Sequence, residues 1–508
     1  MDKDILIIGA GISGLSTGCY AQMNGYGTAI YEMNKVPGGL CTAWQRKGYT
    51  FDISMHMLMG SVSGPMHKMW EELGVTGNFK FHFHRQISQI EGLGKKLNFS
   101  VDRKQLEDDM TVISPEDEKL IKEFTRLIFG PDIMKAASLK PAMLMTFADR
   151  IRQIPYILPL IGVFTRYKRM TVQEFAARFK SPFLREAVRF FVDAPGWPMP
   201  RFPMVALAGF VRSGITEAGV PLGGSQKVMF SIANLYNQLG GEIHYSSFIT
   251  DLIIENGRVA GIRLKDGTEH RAKRIIWAGD GYNLIFNILG GKYLDNKIRN
   301  MYETWIPVKP IVHVMIGVNR DLSAEPPRII FEPEEPVTIA GREHRWMTVL
   351  HHCFDKSMAP EGKSAVEVWF DTEYEYWNDL AKDRIKYNAE KQRIAEYAVR
   401  QLEKRWPGFS SQIEMIDIPT PATYVRYTGN YKGSPDGWYI TDANMNVSEP
   451  VRTLPGLEGL YMVGQWTAPF TGTVMAALSG RQIIQFLCIG DSKKFIPASL
   501  YKTIPFQQ

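Results

Sequence analysis

The chain has 508 residues, 45% of them hydrophobic and 22% charged, with 45 Gly, 29 Pro and 4 Cys. At roughly 100–200 residues per domain this length gives two to four domains, and the composition excludes a disordered chain, a collagen-like repeat and a disulfide-stapled miniprotein. Lys and Arg number 59 against 53 Asp and Glu, a net charge of +6; no dense basic stripe is present, so nucleic acid is not an expected partner.

The first predicted element is a buried strand at Asp4–Ile8. It leaves no room for a signal peptide ahead of it, and the expected compartment is the cytosol. Gly9-x-Gly11-x-x-Gly14 follows directly, then a helix to about Met23 and a second strand at Thr28–Tyr31 closed by Glu32. Each residue has a physical task in binding a dinucleotide. Gly9 allows the tight turn, Gly11 lets backbone approach a pyrophosphate, and Gly14 lets helix and strand pack closely. The N–H groups at the helix start, at Ile12 and Ser13, offer unpaired donors and the positive end of the helix dipole to phosphates. Glu32 is placed to accept hydrogen bonds from ribose hydroxyls.

A second glycine pair, Gly38 and Gly39, comes next in Pro37–Asp52, with Leu40 after it. Met55, Met57 and Met59 then alternate, the spacing that shares one face of an extended stretch, and Met suits both core packing and the wall of an apolar pocket. Gln153–Thr165 is apolar but too short to span a bilayer and carries Pro155 and Pro159. Its flanks hold Arg150, Arg152, Arg166, Lys168 and Arg169. Two readings stand: a buried turn between helices, or an element resting on an anionic lipid surface.

In the middle of the chain, Ile249–Glu255 and Arg258–Leu264 are β-rich runs joined by Asn256-Gly257, a type I′ hairpin signal. Asp266-Gly267 turns into a third strand at Glu269–Trp277, which completes a meander. Asp379–Lys404 reads as one amphipathic helix with a solvated face. Near the end, Gly459–Arg481 gives a short apolar strand, a polar turn at Gly464–Gln465, and a helix starting at about Val474–Met475. Such a helix start can face a flavin N1/C2 carbonyl, where negative charge collects on reduction. Its composition, with Gly, Gln, Pro and Thr throughout, argues against a transmembrane span.

No HExxH, GxSxG or Walker A sequence occurs, and the four cysteines form no CxxC. His82/His84 and His351/His352 are pairs with no further ligand in register, so no metal is expected and they read as partly exposed strand residues. No second GxGxxG follows a strand, so a separate nicotinamide domain is not expected either.

These motifs resemble the phytoene desaturase, carotenoid isomerase and retinol saturase group of FAD-dependent oxidoreductases. The carriers are GAGISG at Gly9–Gly14, Glu32, Pro37–Gly39, GYTFD at Gly48–Asp52, the middle block Pro221–Thr268, and GLYMVGQWTAP with ALSGR near the end. The resemblance implies an α/β fold: a Rossmann-type FAD-binding domain, three-layered with a β-meander, interleaved with an α+β substrate domain. The FAD domain would comprise about 1–75, 220–300 and 415–490. The substrate domain would comprise 76–219 and 301–414, with a membrane-contact segment at 150–169. It implies Phe248 and Ile249 near the adenine, against plain core packing, and Gly279 close to the cofactor.

The resemblance also implies hydride transfer to or from carbon–carbon bonds of a polyene or isoprenoid lipid. Leu158–Phe164 and Phe202–Val211 would supply its entrance, and a quinone, oxygen or a reduced carrier would be the electron partner. His56 follows GYTFD and is the candidate proton donor or acceptor, since a near-neutral pKa suits that task. Alternatives are a cis–trans isomerase without net redox, an amine oxidase-like enzyme, or an FAD-bound scaffold. Departures from the group's pattern are Ser54 for a glycine, Leu40 for a frequent arginine, and Phe470, Thr471 and Met475 for glycines.

Overall fold

The computed structural model describes residues 3–130, 132–447, 449–469 and 472–497. Its organising element is a sheet in the strand order 242–244, 28–31, 3–8 and 269–277, with Leu460–Met462 also paired to 269–277. All of these pairings are parallel. Lys3–Ile8 alternates its side chains between two layers. Ile5 and Ile7 pack into a helical layer with Leu15, Cys19 and Ile484, whereas Leu6 and Ile8 face Ile249, Val259 and Ile262 of the meander. Helix, parallel sheet and meander therefore form the three layers expected.

The meander strands run Ile249–Glu255, Arg258–Leu264 and Glu269–Trp277. Asn256 and Gly257 at the first turn both have positive φ, 50° and 76°, as a type I′ turn requires. The long last strand does double duty. Its first residues pair antiparallel with the meander, and its last ones pair parallel with Lys3–Ile8 and Leu460–Met462.

Helix Gly472–Gly490 begins two residues before the expected start and packs along helix Ile12–Met23. Gly480 permits this contact: a Cβ there would lie 2.7 Å from the Ser13 carbonyl oxygen. Among the described residues it is the one helix long and apolar enough to cross a membrane, and most of it is buried against this core.

A second seven-stranded sheet runs in the order 413–417, 311–318, 364–371, 347–351, 328–331, 86–92 and 95–100. Ile311–Val318 and Ser364–Asp371 are buried throughout, so their two faces must be told apart by chemistry. Val312, Val314, Val366, Val368 and Phe370 pack against Ile394, Ala398 and Leu402 of the long helix Arg384–Arg405. The other face carries His313, Glu367 and Trp369, with His313 directly opposite Trp369. A one-residue slip in register would exchange the two sets.

The single helix expected at Asp379–Lys404 is two. Tyr374–Leu380 ends, and Asp383 then caps Arg384–Arg405 by accepting from the N–H groups of Ile385 and Lys386. A short acid side chain that satisfies two orphan donors starts a new helix rather than extending an old one. The Gln153–Thr165 segment corrects the buried-turn reading. Helices Phe147–Ile157 and Leu160–Tyr167 leave Phe147, Ile151, Ile154, Ile157, Leu158, Ile161 and Phe164 exposed.

Candidate functional site

One cavity of about 890 Å³ opens at the carboxyl ends of the parallel strands and continues between the two sheets. In open α/β sheets this is where ligands bind. Gly9, Gly11, Ile12, Ser13, Glu32, Gly38, Gly39, Leu40, Phe248, Ile249, Gly279, Gln465 and Val474 all line it. The helix Ile12–Met23 starts here with Gly11 as its N-cap, no side chain bonded to its first N–H groups and no acid in its first turn. Those donors stay free for an anion.

Glycine is required where backbones meet. A Cβ on Gly14 would lie 1.9 Å from the Gly9 carbonyl oxygen, so only glycine lets this helix sit on its strand. Gly14 itself does not reach the cavity; it shapes the wall. Gly38 donates its N–H to the Ala10 carbonyl at 2.9 Å and bridges to Gly11, laying the second glycine pair across the first turn. Gly464, at φ +98°, stands just outside the lining, its N–H bonded to Ser479 Oγ at 2.8 Å.

Glu32 is buried, with Oε2 accepting from the Ala10 N–H at 2.8 Å and Oε1 from the Asn34 N–H at 2.8 Å. Its carbonyl accepts from Ser247, which places the Phe248–Ile249 corner beside it. Phe248 is 44% exposed and borders the cavity, so core packing does not describe it; Ile249 is buried and does both. The arrangement fits a dinucleotide, with its pyrophosphate at the helix start and a ribose at Glu32.

Met475 packs against the helical core rather than the cavity, which takes Gly472, Thr473, Val474 and Ala476 from this helix start. Phe470 and Thr471 lie outside the described residues. Asp436 accepts from the Gly472 N–H at 3.1 Å, so an acid stands at the start of that helix.

At the inner end the cavity meets the second sheet. His56 lines it, with its ring 4.8 Å from Trp369 and 6.3 Å from His352. The His56 Nε2 is buried without a hydrogen-bond partner, and burial pushes its pKa down to about 3. The expectation of a near-neutral value is therefore wrong: with no carboxylate bonded to it, this imidazole is neutral at pH 7. His352 is the reverse case. Burial opposes its charge most strongly, but the bond to Glu367 at 3.2 Å and the negative charges of Glu367, Asp52 and Asp355 together outweigh it and raise the pKa. For Glu367 burial works in the opposite direction to His352, and the carboxyl is held down at about 2.

His351 and His352 are thus buried, not partly exposed strand residues. His82 stacks on Phe354, and His84 meets both rings edge to face. Among the described residues no group of His, Cys, Asp and Glu is arranged to hold a metal.

Of the three methionines, Met57 and Met59 line the cavity while Met55 is buried in the helical core. The stretch bends instead of staying extended, so alternation fails. Phe202, Leu207, Phe210 and Val211 line the cavity as expected, but Leu158, Ile161 and Phe164 of the other expected entrance segment lie on the outer surface. Sequence reasoning missed Trp369, Arg328 and Glu367. The legible signal was Glu367, an acid in the middle of the β-rich run Ser364–Phe370.

Comparison with known proteins agrees with this geometry. Residues 7–73 match the NAD(P)-binding Rossmann-like domain family. The chloroplastic prolycopene isomerase of Daucus carota is 24% identical, covering 94% of this chain and 79% of its own. The lycopene-forming phytoene desaturase of Pseudescherichia vulneris is 23% identical over 92% and 96%, and the all-trans-retinol 13,14-reductase of Danio rerio 21% over 95% and 86%. In structure, an oxidoreductase from Methanosarcina mazei aligns with a TM-score of 0.61 at 16% identity, over 95% of this chain and all of the other. The cyclohexylamine oxidase of Brevibacterium oxydans gives 0.58 at 15%, which shows a shared fold. The protein is accordingly a relative, over nearly its whole length, of the phytoene desaturases, prolycopene isomerases and retinol reductase, with a Rossmann-type domain for a flavin or NAD(P) cofactor.

Proposed function

We propose that the protein is an FAD-dependent oxidoreductase acting on carbon–carbon bonds of a polyene or isoprenoid lipid. The observation that carries this is the continuity of the cavity. The dinucleotide cradle at Gly11 and Glu32 and an apolar chamber walled by Phe191, Trp197, Phe202 and Phe210 are one space. FAD, when bound, supplies a ring that accepts or donates a hydride. The chain's own residues bind its phosphates at Ile12 and Ser13, hold a ribose at Glu32, and exclude water around the lipid with aromatic walls. His56 holds a neutral imidazole at the junction, a group able to donate or accept a hydrogen bond.

A second reading, cis–trans isomerisation without net redox, is favoured by the prolycopene isomerases among the relatives. The electron partner, a quinone, oxygen or a reduced carrier, distinguishes the two, because an isomerase consumes none. The test is to extract the cofactor from purified protein and to assay polyene products with and without an electron acceptor. FAD together with a desaturated, saturated or isomerised product supports the reading; absence of flavin refutes it.

We also propose that the exposed face of Phe147–Ile157 and Leu160–Tyr167 docks on an anionic membrane surface, from which the lipid is collected. Apolar side chains project outward there, and Arg150, Arg152, Arg166, Lys168 and Arg169 surround them. On this reading the protein is cytosolic and peripheral.

A further inference from the structure

We propose that Arg328 is a headgroup anchor and that the lipid substrate carries a carboxylate at one end. The inference rests on the lipid-oxidoreductase reading and narrows it. Arg328 opens strand Arg328–Phe331 opposite Leu350, and both line the cavity. Its guanidinium carbon lies 6.0 Å from the Trp369 ring centroid, and its Nε is buried without a partner. Burial alone perturbs it, down to about 10, and no carboxylate acts on it.

Several other interior cations are paired. Arg481 Nε pairs with Glu72 at 2.8 Å, Arg189 with Asp193 at 2.6 Å, and His352 with Glu367. A guanidinium whose Nε is cut off from water and unpaired stays charged at working pH, so it needs an anion or costs stability. Its planar fork fits one carboxylate through two parallel N–H···O bonds. A diphosphate would call for more positive charge than one fork. Among the described lining residues the other Lys or Arg is Arg426, next to Tyr427, whose carbonyl accepts from Asn34 at the dinucleotide end.

The position also has a consequence for the reaction. Arg328 and His56 both lie against Trp369, on a cavity that Leu350 and Trp197 also line. A carboxylate held at Arg328 fixes how far along the chain the bond beside His56 lies. Arg328 is therefore a specificity-determining residue: it sets the register of the lipid as well as its class.

Matched pairs of probes test this on the cofactor-loaded protein: all-trans-retinoic acid and its methyl ester, linoleic acid and its methyl ester. Binding is read from tryptophan fluorescence and from perturbation of the flavin absorption band. The expected result is that at least one acid binds about tenfold or more tightly than its ester. Arg328→Gln should remove that preference while leaving ester binding in place, and Arg328→Lys should restore part of it. Equal binding of acid and ester in both pairs overturns the proposal, as does an Arg328→Gln variant that weakens both equally. If the esters bind and react as well as the acids, the anchor is wrong and the lipid-oxidoreductase reading stands. If neither member of any pair binds, both fall.

Discussion

His352 Nε2 and Glu367 Oε1 lie 3.2 Å apart with both side chains buried, and the His352 ring stacks 6.3 Å from His56. The pair places an imidazole whose charged form is favoured immediately behind one whose charged form is disfavoured. Glu367, held down at about 2, contributes stability above its ordinary value of 4.5 and loses it as pH falls toward 2. His352, raised above 6.5, contributes fully below 6.5 and loses it as pH rises through its folded value. The pair is therefore at full strength between pH 4.5 and 6.5. Glu367→Gln should lower stability by about 3 kcal/mol there. Melting temperatures across pH 3.5–9 should show the gap to wild type narrowing on both sides of that window.

His56 and His313 push the other way. Burial lowers them to about 3 and 4, so the unfolded chain takes up protons below pH 6.5 that the folded protein refuses. Stability should fall as pH drops below 6.5, and His56→Phe should make that fall shallower. The same variant should keep its cofactor yet turn over about tenfold more slowly, the scale of one lost hydrogen bond at the junction. Because His56 stays neutral from pH 5 to 8, the wild-type rate profile should show no step near 6.5 that His56→Phe removes.

Gly14→Ala puts a methyl 1.9 Å from the Gly9 carbonyl oxygen, which neither backbone can avoid. The helix must lift off its strand, carrying the free N–H groups of its first turn with it. Overpacking of this kind costs about 1–3 kcal/mol. The variant should purify with little cofactor, measured as the ratio of flavin to protein absorbance, and extra FAD should restore it only in part.

Ile154→Asp with Phe164→Asp charges the exposed apolar face without touching a buried group. In flotation with vesicles containing anionic lipid, wild type should co-float and the double variant should not. Raising salt should weaken wild-type binding through the flanking arginines and Lys168. Equal binding to neutral vesicles would remove the electrostatic half of this reading.

Much of the dinucleotide half was legible because its constraints are local. Gly9, Gly11, Gly14 and Glu32 sit at spacings set by one strand–turn–helix–strand unit, and Asn256-Gly257 declares a hairpin within two residues. The inner end was not legible, since His56, His313, Arg328, His352 and Glu367 come from five separate stretches of chain. Only the register of Ile311–Val318 against Ser364–Asp371 brings His313 opposite Trp369. The pKa of His56 was misjudged for the same reason: no local pattern reports that its Nε2 would be buried. Alternation misled at Met55–Met59 because the segment bends, and the helix break at Asp383 was missed although an Asp is a common cap.

The most direct measurement of the central claim is anaerobic and has two arms. Oxidised protein, and protein whose flavin has first been photoreduced, are each mixed with retinoids, carotenoids and unsaturated fatty acids. The flavin band and the lipid products are followed together. The account predicts that at least one lipid bleaches the oxidised flavin, reoxidises the reduced one, or emerges isomerised from the reduced arm. A flavin-loaded protein that leaves every lipid unchanged in both arms would contradict it.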